Sequence, residues 1–221
     1  MTVSLRAPVI AIVDYGIGNL PSARKAFERA GADAQITADP RLIATADGVV
    51  LPGVGAMGRC MESLTEHGMR VPVLDAIASG RPFFGICVGM QMLHAGSDEH
   101  GGVAGLGVFD ARVIELPDIV KRPQMQWNIV RSLPVSESCA GSPRTLLGGV
   151  DGAWFYFVHS FSPEPHAGVV GVCEYGVTVS AVVASNNVSG TQFHPEKSSA
   201  AGTTLLANFV STCRPPTPSG G

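Results

Sequence analysis

The segment from residue 83 to residue 91, Phe-Phe-Gly-Ile-Cys-Val-Gly-Met-Gln, constrains the fold of this chain more than any other segment. An apolar run leads into Gly-x-Cys-x-Gly, and a helix is expected to follow at once. This pattern is typical of a nucleophile elbow, in which the nucleophile occupies a tight strand-to-helix turn and flanking glycines permit close approach. The helix N-terminus would favour the thiolate of Cys87. Taken alone, the pattern is equally compatible with Cys87 as a small buried apolar side chain.

A second pattern, Gln-Phe-His-Pro-Glu at residues 192–196, carries the groups that a cysteine nucleophile needs. A leaving group must be protonated, and the imidazole that protonates it needs a carboxylate to fix its tautomer. His194 and Glu196 supply these two groups. We expect Pro195 to hold the segment extended, so that both side chains lie on one side of the backbone. The order Cys87, His194, Glu196 therefore predicts a catalytic triad.

The composition is that of a soluble enzyme, and its 221 residues are enough for one α/β domain. We predict a single domain at residues 8–213 and a disordered tail at 214–221. The 15 basic and 18 acidic residues form no basic cluster, which argues against a nucleic-acid partner. No apolar run is long enough to cross a bilayer and no signal-peptide pattern is present, so we expect a cytoplasmic protein without a membrane partner.

The cysteine content predicts neither a disulfide framework nor a metal site. The five cysteines are odd in number, and their spacing does not match that of metal ligands. We therefore expect reduced thiols, no metal and no cofactor.

The first half of the sequence alternates strands and helices, which predicts a largely parallel sheet flanked by helices. The second half contains mainly strands, which we expect to add antiparallel pairing. The predicted elements, in order, are a strand at 9–13, a helix capped by Asn19, a strand at 34–37, a short helix opened by Asp39, a strand at 48–51, a loop, a helix at 72–79, the strand that carries Cys87, strands at 106–109, 112–116, 154–158, 169–173 and 179–183, and a helix at 200–212.

The segment Pro-Gly-Val-Gly at residues 52–55 follows the predicted strand at 48–51. In open α/β sheets, ligands bind beyond the carboxyl ends of the strands. A glycine-rich turn there can direct its amides at an anion, so we predict an oxyanion hole formed by Val54, Gly55 and the residue after the nucleophile, Val88. Taken alone, the proline and glycines favour a plain turn, because turn chemistry explains them fully.

Five stretches together resemble the class I glutamine amidotransferases: residues 14–20, 51–58, 85–91, 155–160 and 192–198. Many members of that family share the elbow and the His-Pro-Glu segment. Residues 14–20, residues 155–160 and the Trp127-Asn128 pair resemble more narrowly the glutaminase subunits that supply ammonia to a (βα)₈-barrel cyclase. The resemblance implies a flavodoxin-like fold and hydrolysis of L-glutamine. Cys87 would attack the side-chain amide, His194 would protonate the ammonia, and Glu196 would orient His194.

The resemblance also implies which residues hold the substrate. Backbone groups would bind L-glutamine together with the side chain of Gln91, and Glu99 is an additional candidate. Gln91 has a second interpretation, because a residue one helical turn after Cys87 is also compatible with an exposed polar position. The backbone groups implied in glutamine binding are those of Gly53, Val88, Ser160 and Phe161.

A heterodimer with the (βα)₈-barrel cyclase is a further implication of the resemblance. Exposed aromatic side chains with polar neighbours are typical of interfaces. Judged as an isolated residue, Trp127 is also compatible with a core position. The residues implied at or near the interface are Asn19, Trp127, Tyr156, His159 and Lys197.

Two other functions remain compatible with the sequence. A glutaminase subunit of another synthase, such as anthranilate synthase or pyridoxal phosphate synthase, would share the triad but not the stretches at 14–20 and 155–160. A non-catalytic regulatory subunit would be indicated by the loss of a triad residue, and all three are present.

Overall fold

The computed structural model describes residues 6–134 and 146–213. Its strands fall into three sheets, and the largest of these positions the elbow. The strands are β1 (Val9–Val13), β2 (Asp33–Thr37), β3 (Gly48–Gly53), β4 (Phe83–Cys87), β5 (His94–Ser97), β6 (Val103–Ala104), β7 (Phe109–Glu115), β8 (Gln124–Ile129), β9 (Arg131–Ser132), β10 (Trp154–His159), β11 (Phe161–Pro163), β12 (Val169–Glu174), β13 (Thr178–Ser185) and β14 (Val188–Thr191).

Within the described residues, the largest sheet has the order β2-β1-β3-β4-β14-β13-β12-β9. The neighbours from β2 to β14 pair in parallel, and those from β14 to β9 pair antiparallel. Strands β1, β3 and β4 are almost entirely buried, which agrees with their continuous apolar sequences. The predicted α/β class, with antiparallel strands added in the second half, is confirmed.

Strand β4 occupies a central position that brings three segments to one edge of the sheet. It lies between β3 and β14, and all three run in parallel. Their carboxyl ends therefore meet, so that Gly53 pairs with Cys87 while β14 ends just before the segment that contains His194. This topology, and not proximity in sequence, unites the elbow with the His-Pro-Glu segment.

The helices cover this sheet and bury their apolar faces on it. Phe27 of the first helix, Phe84 of β4 and Phe209 of the last helix form one aromatic cluster, with ring centroids 5.1 to 6.5 Å apart. Among the described helices, none is long and apolar enough to span a membrane. The α-helices are α1 (Leu20–Arg29), α2 (Pro40–Thr45), α3 (Met57–Glu66), α4 (Arg70–Ala78), α5 (Val88–Gln91) and α6 (Ser199–Thr212).

The two smaller sheets lie in the second half of the chain. Strands β8 and β10 form an antiparallel pair, and the remaining sheet has the order β11-β7-β5-β6. The sequence did not predict β5 and β8. The strands predicted at 106–109 and 112–116 correspond mainly to one strand, β7, which begins at Phe109.

Several local predictions were wrong. Helix α3 lies where a loop was expected. Asn19 stands at the N-cap position of α1, but its side chain makes no capping hydrogen bond. Residues Pro195–Lys197 form a 3₁₀ turn instead of continuing extended. The tail predicted at 214–221 lies outside the described residues.

Candidate active site

Cys87 adopts the backbone conformation of a nucleophile elbow. It is the last residue of β4, with φ of 52° and ψ of −112°, and positive φ is uncommon for a residue other than glycine. The neighbouring glycines permit this tight turn. A Cβ atom at Gly85 would lie 2.7 Å from Cα of Met90, and one at Gly89 would overlap the carbonyl oxygen of Leu51. The backbones of β3, β4 and α5 are therefore in direct contact beneath the nucleophile.

The His194 imidazole is bonded to the Glu196 carboxylate. The distance from Nδ1 to Oε1 is 2.8 Å, and both side chains are only 4% exposed. Because the carboxylate oxygen accepts, Nδ1 carries the hydrogen and Nε2 is left for proton transfer. The 3₁₀ turn at residues 195–197, and not an extended backbone, brings the Glu196 carboxylate close to the His194 imidazole. Ser198 Oγ fixes the turn by donating to the His194 carbonyl at 2.6 Å.

The electrostatics of His194 favour its protonated form. Burial lowers the pKa of this imidazole, but interactions with Cys87 and with Glu196 outweigh burial and raise the pKa to about 10. The second carboxylate oxygen, Oε2 of Glu196, is buried without a hydrogen-bond partner among the described residues. At neutral pH, the site therefore contains an imidazolium that can protonate a leaving group.

A pocket of about 390 Å³ opens above Cys87 and His194. Most of the predicted substrate and oxyanion residues line it, whereas Gly53, Glu196, Asn19, Trp127 and Tyr156 do not. Pro123 and Val158 also line it, and no sequence pattern had indicated them. The predicted residues in the pocket wall are Val54, Gly55, Cys87, Val88, Gln91, Glu99, His159, Ser160, Phe161, His194 and Lys197.

Gln91 is buried in the pocket wall, so its interpretation as an exposed residue was wrong. Its Nε2 donates to the Phe161 carbonyl at 2.8 Å and to Oε1 of Gln192 at 3.0 Å. Gln192 was part of a recognised stretch, but the sequence assigned no role to it. No local pattern indicated this role, because one neighbour of Gln192 is polar, Thr191, and the other is apolar, Phe193.

Two buried side chains contact backbone carbonyls at the end of β3 and in the loop that follows it. Tyr15 Oη donates to the Pro52 carbonyl at 2.6 Å, and Cys60 Sγ contacts the Val54 carbonyl at 3.4 Å. Burial raises the pKa of both side chains, so both remain protonated donors at neutral pH. Gly55 then turns the chain with φ of 81°, a conformation that favours glycine.

The residues predicted at the interface differ in their exposure. His159 is buried, and its two ring nitrogens lie 2.9 Å from the Phe161 carbonyl and 3.0 Å from Oε1 of Gln124. Burial lowers the pKa of His159 to about 4. Trp127 is 44% exposed, so its interpretation as a core residue was wrong. Its ring packs edge-on against Tyr156 at 6.2 Å.

Asn19 and Lys197, the other two residues predicted at the interface, are both exposed. The described residues contain no cluster of three or more His, Cys, Asp or Glu side chains that would hold a metal ion.

The chain is similar in sequence to known proteins of one family. The family model described as glutamine amidotransferase class-I matches residues 11–213. Two relatives are named imidazole glycerol phosphate synthase subunit HisH. The relative from Methanothermobacter thermautotrophicus is 45% identical over 93% of this chain and 100% of its own length. The relative from Dechloromonas aromatica is 46% identical over 94% of this chain and 98% of its own length.

Solved structures share the fold at low sequence identity. A glutamine amidotransferase crystal structure has a TM-score of 0.70 at 17% identity and covers 92% of this chain and 98% of its own. The structure of PurLQS from Thermotoga maritima has a TM-score of 0.70 at 16% identity and covers 93% of this chain and 98% of its own.

Proposed function

The chain belongs to the class I glutamine amidotransferases, and from this we propose that it is the glutaminase subunit of an imidazole glycerol phosphate synthase. It hydrolyses L-glutamine to glutamate and ammonia and delivers the ammonia to a cyclase subunit in histidine biosynthesis. The similarity to subunits of that name over nearly their whole length supports this assignment. The observation that carries the chemistry is the strained Cys87 beside a His194 imidazole bonded to Glu196.

The reaction proceeds through a thioester on Cys87. The thiolate attacks the side-chain amide carbon of glutamine, and the His194 imidazolium gives its Nε2 proton to the departing ammonia. Neutral His194 then takes a proton from water, which attacks the thioester and releases glutamate while the sulfur leaves as thiolate. Glu196 keeps the imidazole in the required tautomer. The oxyanion of each tetrahedral intermediate is stabilised by backbone amides at Val54, Gly55 and Val88.

The pocket accommodates glutamine between the elbow and β11. Its volume of about 390 Å³ is ample for one amino acid. Backbone groups of Gly53, Val88, Ser160 and Phe161 hold the substrate. The Gln91 side chain binds it as well, and the Glu99 carboxylate is suited to the ammonium group.

A (βα)₈-barrel cyclase docks against the face of the β8–β10 pair that carries Trp127. Register places Tyr156 opposite Trp127, and Val158 opposite Met125. Side chains on this face include Met125, 62% exposed, and Trp154, 55% exposed. We call the exposed side of this pair the β8–β10 face. Because Val158 also lines the pocket, a partner on this face would lie beside the site where ammonia is released.

Asn19 and Lys197 contribute further contacts to this heterodimer. His159 is buried and supports the interface from inside the subunit. Residues 8–213 form one domain that works in the cytoplasm, with no cofactor. A glutaminase subunit of anthranilate synthase or pyridoxal phosphate synthase is the alternative, and it would retain the same triad. The identity of the activating partner distinguishes these assignments.

The test is glutamate production from glutamine by the purified chain, alone and with the cyclase and its nucleotide substrate. Cys87→Ala serves as the blank, because it removes only the nucleophile. We expect turnover that requires Cys87 and rises strongly with the cyclase. Turnover that is independent of the cyclase, or that responds to another synthase, would overturn the partner assignment. Absence of turnover in every combination would overturn the glutaminase assignment.

A further inference from the structure

Gln192 is a fully buried amide that contacts both the nucleophile, Cys87, and a residue of the pocket wall, Gln91. Its Nε2 lies 3.8 Å from Cys87 Sγ, and its Oε1 accepts from Gln91 Nε2 at 3.0 Å. Its backbone is fixed as well, because its amide donates to the Ala181 carbonyl at 2.9 Å. The catalytic cycle described above gives this side chain no role.

The orientation of the Gln192 amide follows from the groups around it. The Phe161 carbonyl can only accept, so the end of the Gln91 side chain that faces it must be the NH₂ group. That NH₂ group has a second hydrogen, which is donated to Gln192. The atom of Gln192 that receives it must be Oε1, and the NH₂ group of Gln192 therefore faces the sulfur of Cys87.

We propose that Gln192 is a further catalytic residue, whose side-chain amide donates a hydrogen bond to the sulfur of Cys87 and stabilises its thiolate form. The inference rests on the proposed function and assigns a new residue to the same site. A hydrogen bond to an ionised acceptor is stronger than one to a neutral acceptor. The donor therefore favours the thiolate before attack, and favours it again when the thioester breaks and the sulfur regains its charge. Gln192 transfers no proton, because a side-chain amide neither loses nor gains a proton near neutral pH.

The same arrangement links substrate recognition to the nucleophile. Gln91 lines the pocket and also holds Gln192 in place. A substrate that binds Gln91 therefore contacts the residue that orients Gln192, and Gln192 is the hydrogen-bond donor to Cys87. The other ionisable groups that act on Cys87 are His194, Tyr15 and Cys60.

The experiment is the rate of alkylation of Cys87 by iodoacetamide as a function of pH, followed by mass spectrometry of the peptide that contains Cys87. It uses the full chain and needs neither glutamine nor a partner. Gln192→Met removes the amide at nearly constant length. Gln192→Glu keeps the shape and loses the donor when ionised, and it provides the test if the methionine variant does not fold.

The matched control is Gln124→Met. Gln124 is also fully buried, and its side-chain amide lies at the same distance of 3.8 Å from a different cysteine sulfur, Cys173 Sγ. This control therefore reports how far the loss of a buried amide that does not contact Cys87 changes the alkylation of Cys87.

We expect Gln192→Met to slow alkylation at pH 7 about tenfold and to move the midpoint of the rate profile upward by about one pH unit. Gln124→Met should leave the alkylation rate within about twofold of the parent rate. The midpoint should stay within about 0.3 pH unit of the parent midpoint. Folded Gln192 variants with an unchanged midpoint would overturn the inference, as would an equal shift in Gln124→Met. Parent protein that hydrolyses no glutamine would overturn the proposed function alone, because the alkylation result does not depend on turnover.

Discussion

The carboxylate of Glu99 accepts a hydrogen bond from the backbone amide of Met57 at 2.6 Å. Met57 is the first residue of α3, and the residue at the N-cap position, Ala56, has no side chain that can cap the helix. A carboxylate from 42 residues further along the chain therefore supplies the missing cap. Because Glu99 also lines the pocket, one carboxylate contacts both helix α3 and the pocket that we propose to bind glutamine.

Substitution of Glu99 should separate these two roles. Glu99→Ala removes the cap and should lower the free energy of unfolding by about 1–2 kcal/mol. Glu99→Gln keeps an accepting oxygen and should cost less than half as much. Both variants lose the charge that we propose binds the substrate ammonium, so both should raise KM for glutamine about tenfold. Urea unfolding and glutaminase kinetics measure the two effects, and an unchanged KM in both variants would reduce Glu99 to a helix cap.

The Glu99 cap also explains why the sequence did not predict α3. Helix starts are recognised from a capping residue next to the first turn, and Ala56 gives no such signal. Strands β1 and β3 were predictable because a continuous apolar run is buried on both faces of a parallel sheet. Prediction succeeded where the signal was local, and it failed where a distant residue completed the element.

In the candidate site, too, local signals supported predictions and contacts between distant residues did not. The prediction of Cys87, His194 and Glu196 as a triad rests on local signals, because the chemistry of a thiolate nucleophile restricts the residue types. The geometry that joins His194 to Glu196 was predicted wrongly, since Pro195 opens a 3₁₀ turn here. Gln192 had no predictable role, because its partner Gln91 lies 101 positions away. Side-chain networks between distant segments become visible only when the strands are in register.

Glu196→Gln should move the alkaline limit of activity to lower pH. Burial opposes protonation of His194, but Cys87 and Glu196 raise the pKa of His194 to about 10. Activity that requires the imidazolium should therefore persist through neutral pH and fall as pH rises through about 10. Removal of the Glu196 charge lowers that limit and should reduce kcat by about 10²–10⁴-fold. Ammonia release against pH, measured with the partner present, checks this prediction.

A suitable control for this experiment is Glu174→Gln, which removes one exposed carboxylate outside the pocket. We expect Glu174→Gln to leave the alkaline limit of activity at the pH of the parent. An unchanged alkaline limit of activity in Glu196→Gln would contradict the conclusion that Glu196 raises the pKa of His194.

His94 should make the protein sensitive to acid. This buried imidazole lies 3.2 Å from His166, nitrogen to nitrogen, and stacks on Phe109. Burial, and then His166, lowers the pKa of His94 to about 4. The unfolded chain takes up this proton first, near pH 6.5. The stability contributed by His94 is therefore present above pH 6.5 and is lost as pH falls towards 4.

Between pH 7.5 and pH 5, the contribution of His94 should fall by about 2 kcal/mol. Urea unfolding at the two pH values measures the loss, and His94→Gln should lose about 2 kcal/mol less than the parent. His159, whose pKa burial also lowers to about 4, contributes to the acid sensitivity of both proteins. Equal losses in parent and variant would show that His94 does not titrate differently on folding.

Trp127→Ala should weaken cyclase binding without affecting the fold. Trp127 lies at the centre of the β8–β10 face, packed edge-on against Tyr156. Central aromatic side chains often contribute 2 kcal/mol or more to an interface, so Kd should rise by about 30-fold or more. Because the other side of the pair is anchored by buried Phe155 stacked on Phe193, the free energy of unfolding should fall only by the contribution of the Trp127–Tyr156 pair, about 0.5–1.5 kcal/mol.

The matched control for Trp127 is Val71→Ala, because Val71 is 65% exposed on α4, outside the β8–β10 face. Titration calorimetry with the purified cyclase should give the parent Kd for this control. Alkylation of Cys87 should proceed at the parent rate in both variants, because neither substitution reaches the pocket wall. Partner-stimulated turnover should fall in Trp127→Ala only as far as binding falls, and saturating cyclase should restore it. An unchanged Kd for Trp127→Ala would mean that the cyclase docks on another surface, and the Val158 edge of the pocket would then lead to solvent and not to the partner.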